Sequence, residues 1–359
     1  MPEHTIIPFG PQHPVLPEPI QLKLTLDNET VVEAVPHIGY VHRGVEKAAE
    51  RMDYTQNVFL VERICGICSF IHALCYCQGI ERLMGVEVPP RARYLRVIWS
   101  ELHRMQSHHL WLGLFADALG YESLFMQFWR NRERLMDIFE KTAGSRVIIS
   151  TCTIGGVRRD ISPEDLEMIL NELNVIEQGL TEAVDALLND KTVQMRTIGK
   201  GVLKAEDAIA LGAVGPVLRA SGVPVDARME GFAAYGELGI EPIVETAGDS
   251  YARTRVRARE CFQSIGLVRK AIANIPDGEV ITRPKGRPEG RTISRVEQPR
   301  GELFYFIEAN GSTKLDRLRI RTPTFANVPP LVAMLPGCEM ADVPVITISI
   351  DPCISCTER

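Results

Sequence analysis

Two Cys-x-x-Cys pairs constrain this chain more than any other feature. One is Cys65-Gly66-Ile67-Cys68. The other, Cys353-Ile354-Ser355-Cys356, stands three residues before the last. Four thiolates in two such pairs are a ligand set for a soft or borderline metal. A single site built from both requires a fold that closes the first fifth of the chain onto its last residues.

Each pair has a local logic. Asp351 can cap a first helical turn and Pro352 suits its first position. Cys353 then lies at a helix N-terminus, whose positive end favours the thiolate. Cys356 follows on the same face. In the first pair, Gly66 lets the backbone approach the sulfur closely. If a helix begins at Cys68, His72 stands one turn above it and can donate an N–H to a ligand sulfur. On spacing alone, a structural four-cysteine zinc site is the commonest use of two such pairs, and an iron–sulfur cluster comes next. Cys75 and Cys77 could complete a local set with Cys65 and Cys68. They face opposite sides of any helix or strand, however, and a local set leaves the terminal pair without purpose. Cys75, Cys77, Cys152, Cys261 and Cys338 read as packing thiols.

Nine cysteines, an odd count in a chain of 359 residues, favour a reducing compartment over a disulfide framework. The net charge of −6, with no Lys/Arg run, argues against nucleic acid or a membrane surface as partner. No apolar run is long enough to span a bilayer, and the N-terminus shows no secretory signal. All eight histidines lie at or before His109, so histidine chemistry belongs to the first third.

The expected fold is mainly α with small β elements (α+β), a long-helix bundle flanked by an N-terminal β-hairpin and C-terminal strands. Residues 20–26 and 30–35 alternate around Asp27-Asn28-Glu29 and predict the hairpin. Four long helices follow: from Pro89-Pro90 to near Gly120, from Glu122 to Thr142, from Ser162, and from Asp249 to Asn274. The third has Ser162 as cap, Pro163 at its first position, and Leu166, Ile169, Leu173, Ile176 and Leu180 at helical spacing. Residues 302–308 and 316–321 predict strands joined through Asn310-Gly311. Residues 344–350 predict a last strand, and 284–290 a loop. We expect one domain over 1–359, with an N-terminal β part (1–45), a helical bundle (89–275) and a C-terminal β part (276–359).

Arg63-Ile64-Cys65-Gly66-Ile67-Cys68-Ser69-Phe70-Ile71-His72 resembles the proximal cysteine motif of [NiFe]-hydrogenase large subunits. Asp351-Pro352-Cys353-Ile354-Ser355-Cys356-Thr357-Glu358-Arg359 resembles their distal motif. Arg43-Gly44-Val45-Glu46 and Pro299-Arg300-Gly301 match two further elements of that family. Gly10-Pro11-Gln12-His13-Pro14 and Pro36-His37-Ile38-Gly39-Tyr40-Val41-His42 are similar to the quinone-site subunit of respiratory complex I. Together they resemble the energy-converting membrane hydrogenases, including the carbon-monoxide-induced type, over nearly the whole chain.

The resemblance implies a Ni–Fe centre whose iron carries cyanide and carbon monoxide. Cys65 and Cys353 would bind nickel terminally, and Cys68 and Cys356 would bridge nickel and iron. Cys353, Glu18 and Arg300 are the implied catalytic residues. The Cys353 sulfur would accept a proton, Glu18 would pass it on as a buried carboxyl of raised pKa, and Arg300 would direct its donors at the iron cyanides and the open coordination site. Glu46 would be a carboxylate near the C-terminus, just outside the ligands, as would Asp351 and His72. His13, His37 and His42 are expected to deliver protons or pack against a partner. Where the family has a C-terminal histidine near Mg²⁺, this chain has Arg359. Mg²⁺ is therefore not expected, and Arg359 is expected to be at least partly buried and paired with Glu46.

The implied reaction is 2 H⁺ + 2 e⁻ ⇌ H₂, with electrons from reduced ferredoxin. With no Fe–S cluster of its own, the chain would need a small subunit carrying a [4Fe–4S] cluster, a ferredoxin-like electron-transfer subunit, and integral membrane subunits for ion translocation. That places it at the cytoplasmic face of the cell membrane, held through partners. The alternatives are a complex I-like NADH/quinone oxidoreductase subunit and a structural zinc protein of a multisubunit assembly, its metal held by the four cysteines.

Overall fold

In the computed structural model, which describes residues 4–359, the chain opens with a three-stranded antiparallel sheet. β1 (Thr5–Phe9) pairs with β2 (Gln21–Asp27), and β2 with β3 (Thr30–His37). The predicted hairpin is β2–β3. It turns at Asn28, whose φ of 52° suits a residue type tolerant of the left-handed region. Leu22, Leu24 and Leu26 bury one face of β2, as its alternation requires. They share an apolar cluster with Leu331, Val343, Ile346 and Ile354 from the other end of the chain. The N-terminal sheet is thus a platform for the segment that carries the second cysteine pair.

Two short helices, α1 (Val45–Ala49) and α2 (Asn57–Glu62), lead to the first pair, and α3 (Ser69–Met84) follows it. Cys68 is the residue at which α3 begins, and its carbonyl accepts the His72 N–H at 3.2 Å. α3 is buried on nearly every side and stops at Gly85, whose φ of 62° favours glycine.

The bundle holds α4 (Pro90–Ala118), α5 (Glu122–Ala143) and α6 (Pro163–Leu188), with the two-residue strands β4 (Cys152–Thr153) and β5 (Gly156–Val157) between the last two. Short helices α7 (Lys191–Thr197), α8 (Ala205–Ala210), α9 (Gly215–Ala220) and α10 (Tyr235–Leu238) lead into α11 (Ser250–Asn274). Ser162 caps α6 as the sequence predicts, whereas Asp249 caps α11 rather than forming its first turn. Ser162 Oγ accepts the Asp165 N–H at 3.1 Å, and Asp249 Oδ1 accepts that of Ala252 at 2.7 Å. α4 lies at the centre, packed on α5 and α11 and buried along most of its length.

The segment 276–359 departs from its predicted β character. It holds an antiparallel meander, β6 (Glu289–Gln298), β7 (Gly301–Asn310) and β8 (Leu315–Arg321), of which β7 and β8 are the expected pair. β6 is an added strand, and its first residues fall within the predicted loop 284–290. Three helices follow: α12 (Pro323–Met334), α13 (Val343–Ser349) and α14 (Ile354–Glu358). α13 replaces the strand expected at 344–350. Its β-branched residues read as a strand locally, but every one from Val345 to Ser349 is buried. A helix enclosed on all sides has no polar face to give it a helical period, and packing overrides propensity.

Candidate metal centre

The two cysteine pairs meet. Cys65 and Cys353 bring their sulfurs to 3.4 Å, and so do Cys68 and Cys356. The sulfurs of Cys65, Cys68 and Cys356 lie within 4.8 Å of one another, and that of Cys353 joins them through Cys65. All four are buried free thiols. Cys75 and Cys77 stay outside the group. Cys75 donates to the Ser294 carbonyl, and Cys77 stands beside Cys152.

The donor set fits a soft cation. Cys65 is held well below its ordinary pKa by hydrogen bonds from the Cys353, Cys356 and Cys68 thiols. Cys356 is pushed up by those same contacts with Cys353, Cys65 and Cys68. For Cys68 and Cys353, favourable thiol contacts are outweighed by the neighbouring Cys65 charge and by burial, so both end above their ordinary value. Of the four, only Cys65 is shifted toward the thiolate. Only a bound cation would ionise the rest at low cost.

Several elements hold the sulfurs in place. Thr324 Oγ1 accepts the Cys353 N–H at 3.2 Å, and Thr322 Oγ1 donates to the Cys356 carbonyl at 3.0 Å. The Arg43 guanidinium donates to the carbonyls of Arg63, Ile64 and Ser355 at 2.9, 2.6 and 3.2 Å, tying the first motif to the second. The Glu358 carboxylate accepts the N–H groups of Gly39 and Val41, both at 2.5 Å, and its carbonyl accepts His42 Nδ1–H at 2.6 Å. His42 therefore anchors the chain end. His13 accepts the Val15 N–H at 3.3 Å and packs on Phe9, and His37 is exposed.

His72 takes the position foreseen for it. Its Nε2 lies 3.4 Å from Cys356 Sγ and its Nδ1 2.7 Å from the Tyr305 hydroxyl. Burial lowers its pKa to about 4 and raises that of Tyr305, so imidazole and phenol are both neutral near pH 7. With the Tyr305 hydroxyl donating to Nδ1, Nε2 carries the proton and points it at the sulfur.

The arginine of the Pro-Arg-Gly element lies beside the cluster, 2% exposed. Arg300 Nη2 meets Asp351 Oδ1 at 2.7 Å, Nε donates to the Asp351 carbonyl at 3.0 Å, and Nη1 donates to Ser107 Oγ at 3.1 Å. This corrects the expected role of Asp351. It caps no helix but sits at φ 58° and orients Arg300, while Cys353 is the residue that precedes α14. The turn that carries Arg300 is pressed so closely by α9 that a Cβ on Gly215 would stand 2.4 Å from the Arg300 carbonyl oxygen.

Glu18 takes over the capping. Its carboxylate accepts the backbone N–H groups of Ile354 and Ser355, the latter at 3.1 Å, and the Ser355 hydroxyl. Glu18 is half-buried rather than enclosed as expected. It faces a cavity of about 490 Å³ that Cys65, Cys353, Arg300 and Trp111 also line. Glu46 accepts from the Ile320 N–H, Arg319 and Arg359 at 2.9, 3.0 and 3.1 Å. The expected pairing of Arg359 with Glu46 is present.

Sequence reading missed Tyr305 and Ser107, and it marked Arg43 only as part of the Arg43-Gly44-Val45-Glu46 element, without a role. For Tyr305 the alternation of β7 was a usable signal, since Leu303, Tyr305 and Ile307 all point inward. For Ser107 there was none, because its partner Arg300 is remote in sequence.

The profile of the respiratory-chain NADH dehydrogenase 49 kDa subunit matches residues 118–287 and 280–359, and that of the nickel-dependent hydrogenases matches residues 43–115. The chain is 39% identical to a carbon monoxide-induced hydrogenase of Rhodospirillum rubrum, over 98% of this chain and 99% of that one. It is 40% identical to the membrane-bound hydrogenase subunit alpha of Pyrococcus furiosus, over 98% and 87%. Among solved structures, a chain of the membrane-bound sulfane sulfur reductase, an archaeal respiratory membrane complex, superposes with a TM-score of 0.95 at 30% identity, covering 99% of this chain and 98% of that one.

Proposed function

This chain belongs to the family that joins the 49 kDa subunit of respiratory NADH dehydrogenase to the nickel-dependent hydrogenases, among the catalytic subunits of membrane-bound, complex I-related hydrogenases. From that premise we propose that it interconverts protons and H₂ at a nickel–iron centre, with electrons from reduced ferredoxin. The observation that carries this reading is the convergence of four buried, free sulfurs from both motifs beside a cavity shared with Glu18 and Arg300.

In this reading Cys65, Cys68, Cys353 and Cys356 would together hold the nickel–iron centre, Cys65 and Cys353 on nickel. The centre would carry cyanide and carbon monoxide on iron and would supply the electrons and the site of H–H bond formation or cleavage. The protein does the rest. Cys353 Sγ holds a proton, and Glu18, on the same cavity wall, carries it toward solvent. Arg300, fixed by Asp351 and Ser107, keeps a positive charge aimed at the cavity without reorganising. His72 stabilises negative charge on Cys356. Leu110, Leu114 and Trp111 make the cavity wall apolar, which suits a small neutral gas.

Among the described residues no helix is long and apolar enough to cross a membrane. We therefore assign ion translocation to integral membrane subunits, electron delivery to a small subunit with a [4Fe–4S] cluster and a ferredoxin-like subunit, and the location to the cytoplasmic face of the membrane. A second reading, reduction of a quinone or another acceptor, draws support from the 49 kDa profile and the sulfane sulfur reductase likeness. Metal analysis of the purified protein separates the readings. Nickel together with iron supports the hydrogenase, absence of metal the acceptor reductase, and zinc alone a structural four-cysteine site.

A further inference from the structure

Trp129 stands in the wall of two cavities. Its side chain lines the cavity beside the sulfur cluster, together with Cys65, Cys353, Leu110 and Leu114. It also lines a depression of about 730 Å³ on the outer side of α5, with Ser123, Met126, Arg130 and Glu133. Among the described residues it is the one that borders both. Met126 is 61% exposed, and Ser123, Arg130 and Glu133 are exposed as well, so the depression belongs to the surface. Trp129 itself is half-buried. Its indole is thus the partition between the surface and the space that Cys65 and Cys353 face.

The indole is held by packing, not by a hydrogen bond. Its Nε1 is buried without a partner. Phe125, one turn earlier on α5, sets its ring centroid 4.8 Å away at an interplanar angle of 42°. On α4, Gly113 leaves the indole its room. A Cβ there would stand 2.6 Å from Trp129 Cδ1 and 2.8 Å from Nε1. Arg132 Cζ lies 5.6 Å from the ring centroid. Arg132 Nε and Nη2 donate to Gln106 Oε1 at 3.2 and 3.1 Å, and Gln106 Nε2 donates to the Ile67 carbonyl at 2.5 Å, inside the first cysteine pair. With no bond to Nε1, displacing the ring breaks contacts of packing only.

The metal-centre cavity offers two kinds of surface. Glu18, Ser355 and Arg300 are polar and suit protons, whereas Leu110, Leu114 and Trp129 are apolar. An uncharged gas needs no hydrogen-bond partner on its way and gains dispersion contacts along such side chains. We propose that Trp129 gates the passage of gas between the α5 surface and the metal centre and discriminates by size. H₂ passes with a small displacement of the ring, and larger diatomic molecules such as O₂ require the indole to leave its seat on Gly113. This rests on the nickel–iron reading above. Leaving the seat breaks the contact with Phe125, a barrier equivalent to about tenfold in rate.

The test uses the metal-loaded complex. Infrared spectroscopy of the ligands on iron follows the rate at which O₂ alters the reduced centre, and H/D exchange is measured alongside. Trp129→Ala should react with O₂ about tenfold faster than the parent, with a smaller change in H/D exchange. Trp129→Phe should fall between. Gly113→Ala should follow Trp129→Ala, because the added methyl evicts the indole. Equal O₂ rates in parent and Trp129→Ala, absence of reaction in both included, overturn this inference alone when nickel and iron are present in both. Equal acceleration of O₂ reaction and H/D exchange overturns the discrimination by size. Protein without nickel and iron overturns the function as well. If the two alanine variants fail to assemble, Trp129→Phe decides: a faster O₂ reaction than the parent supports the gate, and a parental rate refutes it.

Discussion

Glu18→Gln separates the capping contacts of Glu18 from the proton relay proposed for it. Glu18 accepts the N–H groups of Ile354 and Ser355 at the start of α14 and also faces the cavity beside Cys353. Glutamine keeps one acceptor oxygen for those N–H groups, and the Ser355 hydroxyl can turn to accept from the new amide. The loss is the charge at the helix start, worth about 1 kcal/mol, so the metal content should stay at the parental level. An amide cannot carry a proton, however. A positioned acid–base group contributes roughly 10²–10⁴ in rate, or about 3–5 kcal/mol of barrier. H₂ evolution, measured by gas chromatography with a chemical reductant, should fall by that factor while nickel and iron stay constant. Glu18→Asp, which keeps a carboxylate but reaches one methylene less far, should fall between. Parental turnover in Glu18→Gln at full metal content would refute the relay and leave Glu18 as a cap.

Cys353→Ser should lose nickel and H/D exchange together, since an alkoxide is a harder and more basic ligand than a thiolate; normal nickel content would remove Cys353 from the ligand set. Arg300→Lys should keep the metal and lose most activity, because one ammonium cannot reproduce the fork that spans Asp351 and Ser107; parental rates would make Arg300 a packing residue. Burial lowers His103, His108 and His109 to about 4, so the unfolded chain binds more protons than the native one between pH 4 and 6.5. Stability is then full above pH 6.5 and lost as pH falls, by up to about 3 kcal/mol per histidine; an unchanged urea midpoint from pH 7 to 5 would contradict this.

The sulfur cluster was legible in the sequence because each half of it is local. Each Cys-x-x-Cys pair is written within four residues, and no other use accounts for both pairs at once. The same holds for the cap at Ser162 and for the β2–β3 hairpin, where side chain and backbone of neighbouring residues decide the outcome. His72 was legible because one helical turn fixes its relation to Cys68. The rest depended on contacts that no local pattern encodes. Residues 344–350 read as a strand, yet α13 forms there because its surroundings bury every residue from Val345 to Ser349. Asp351 carries the sequence signature of a cap, yet Arg300, brought in from the β6–β7 turn, takes its carboxylate, and Glu18 reaches the helix start from the other end of the chain. The sequence by itself determined which four sulfurs the fold would bring together. The tertiary structure decided which charges surround them, because in a low-dielectric interior a charge is set by whatever the fold brings near it, however distant in sequence.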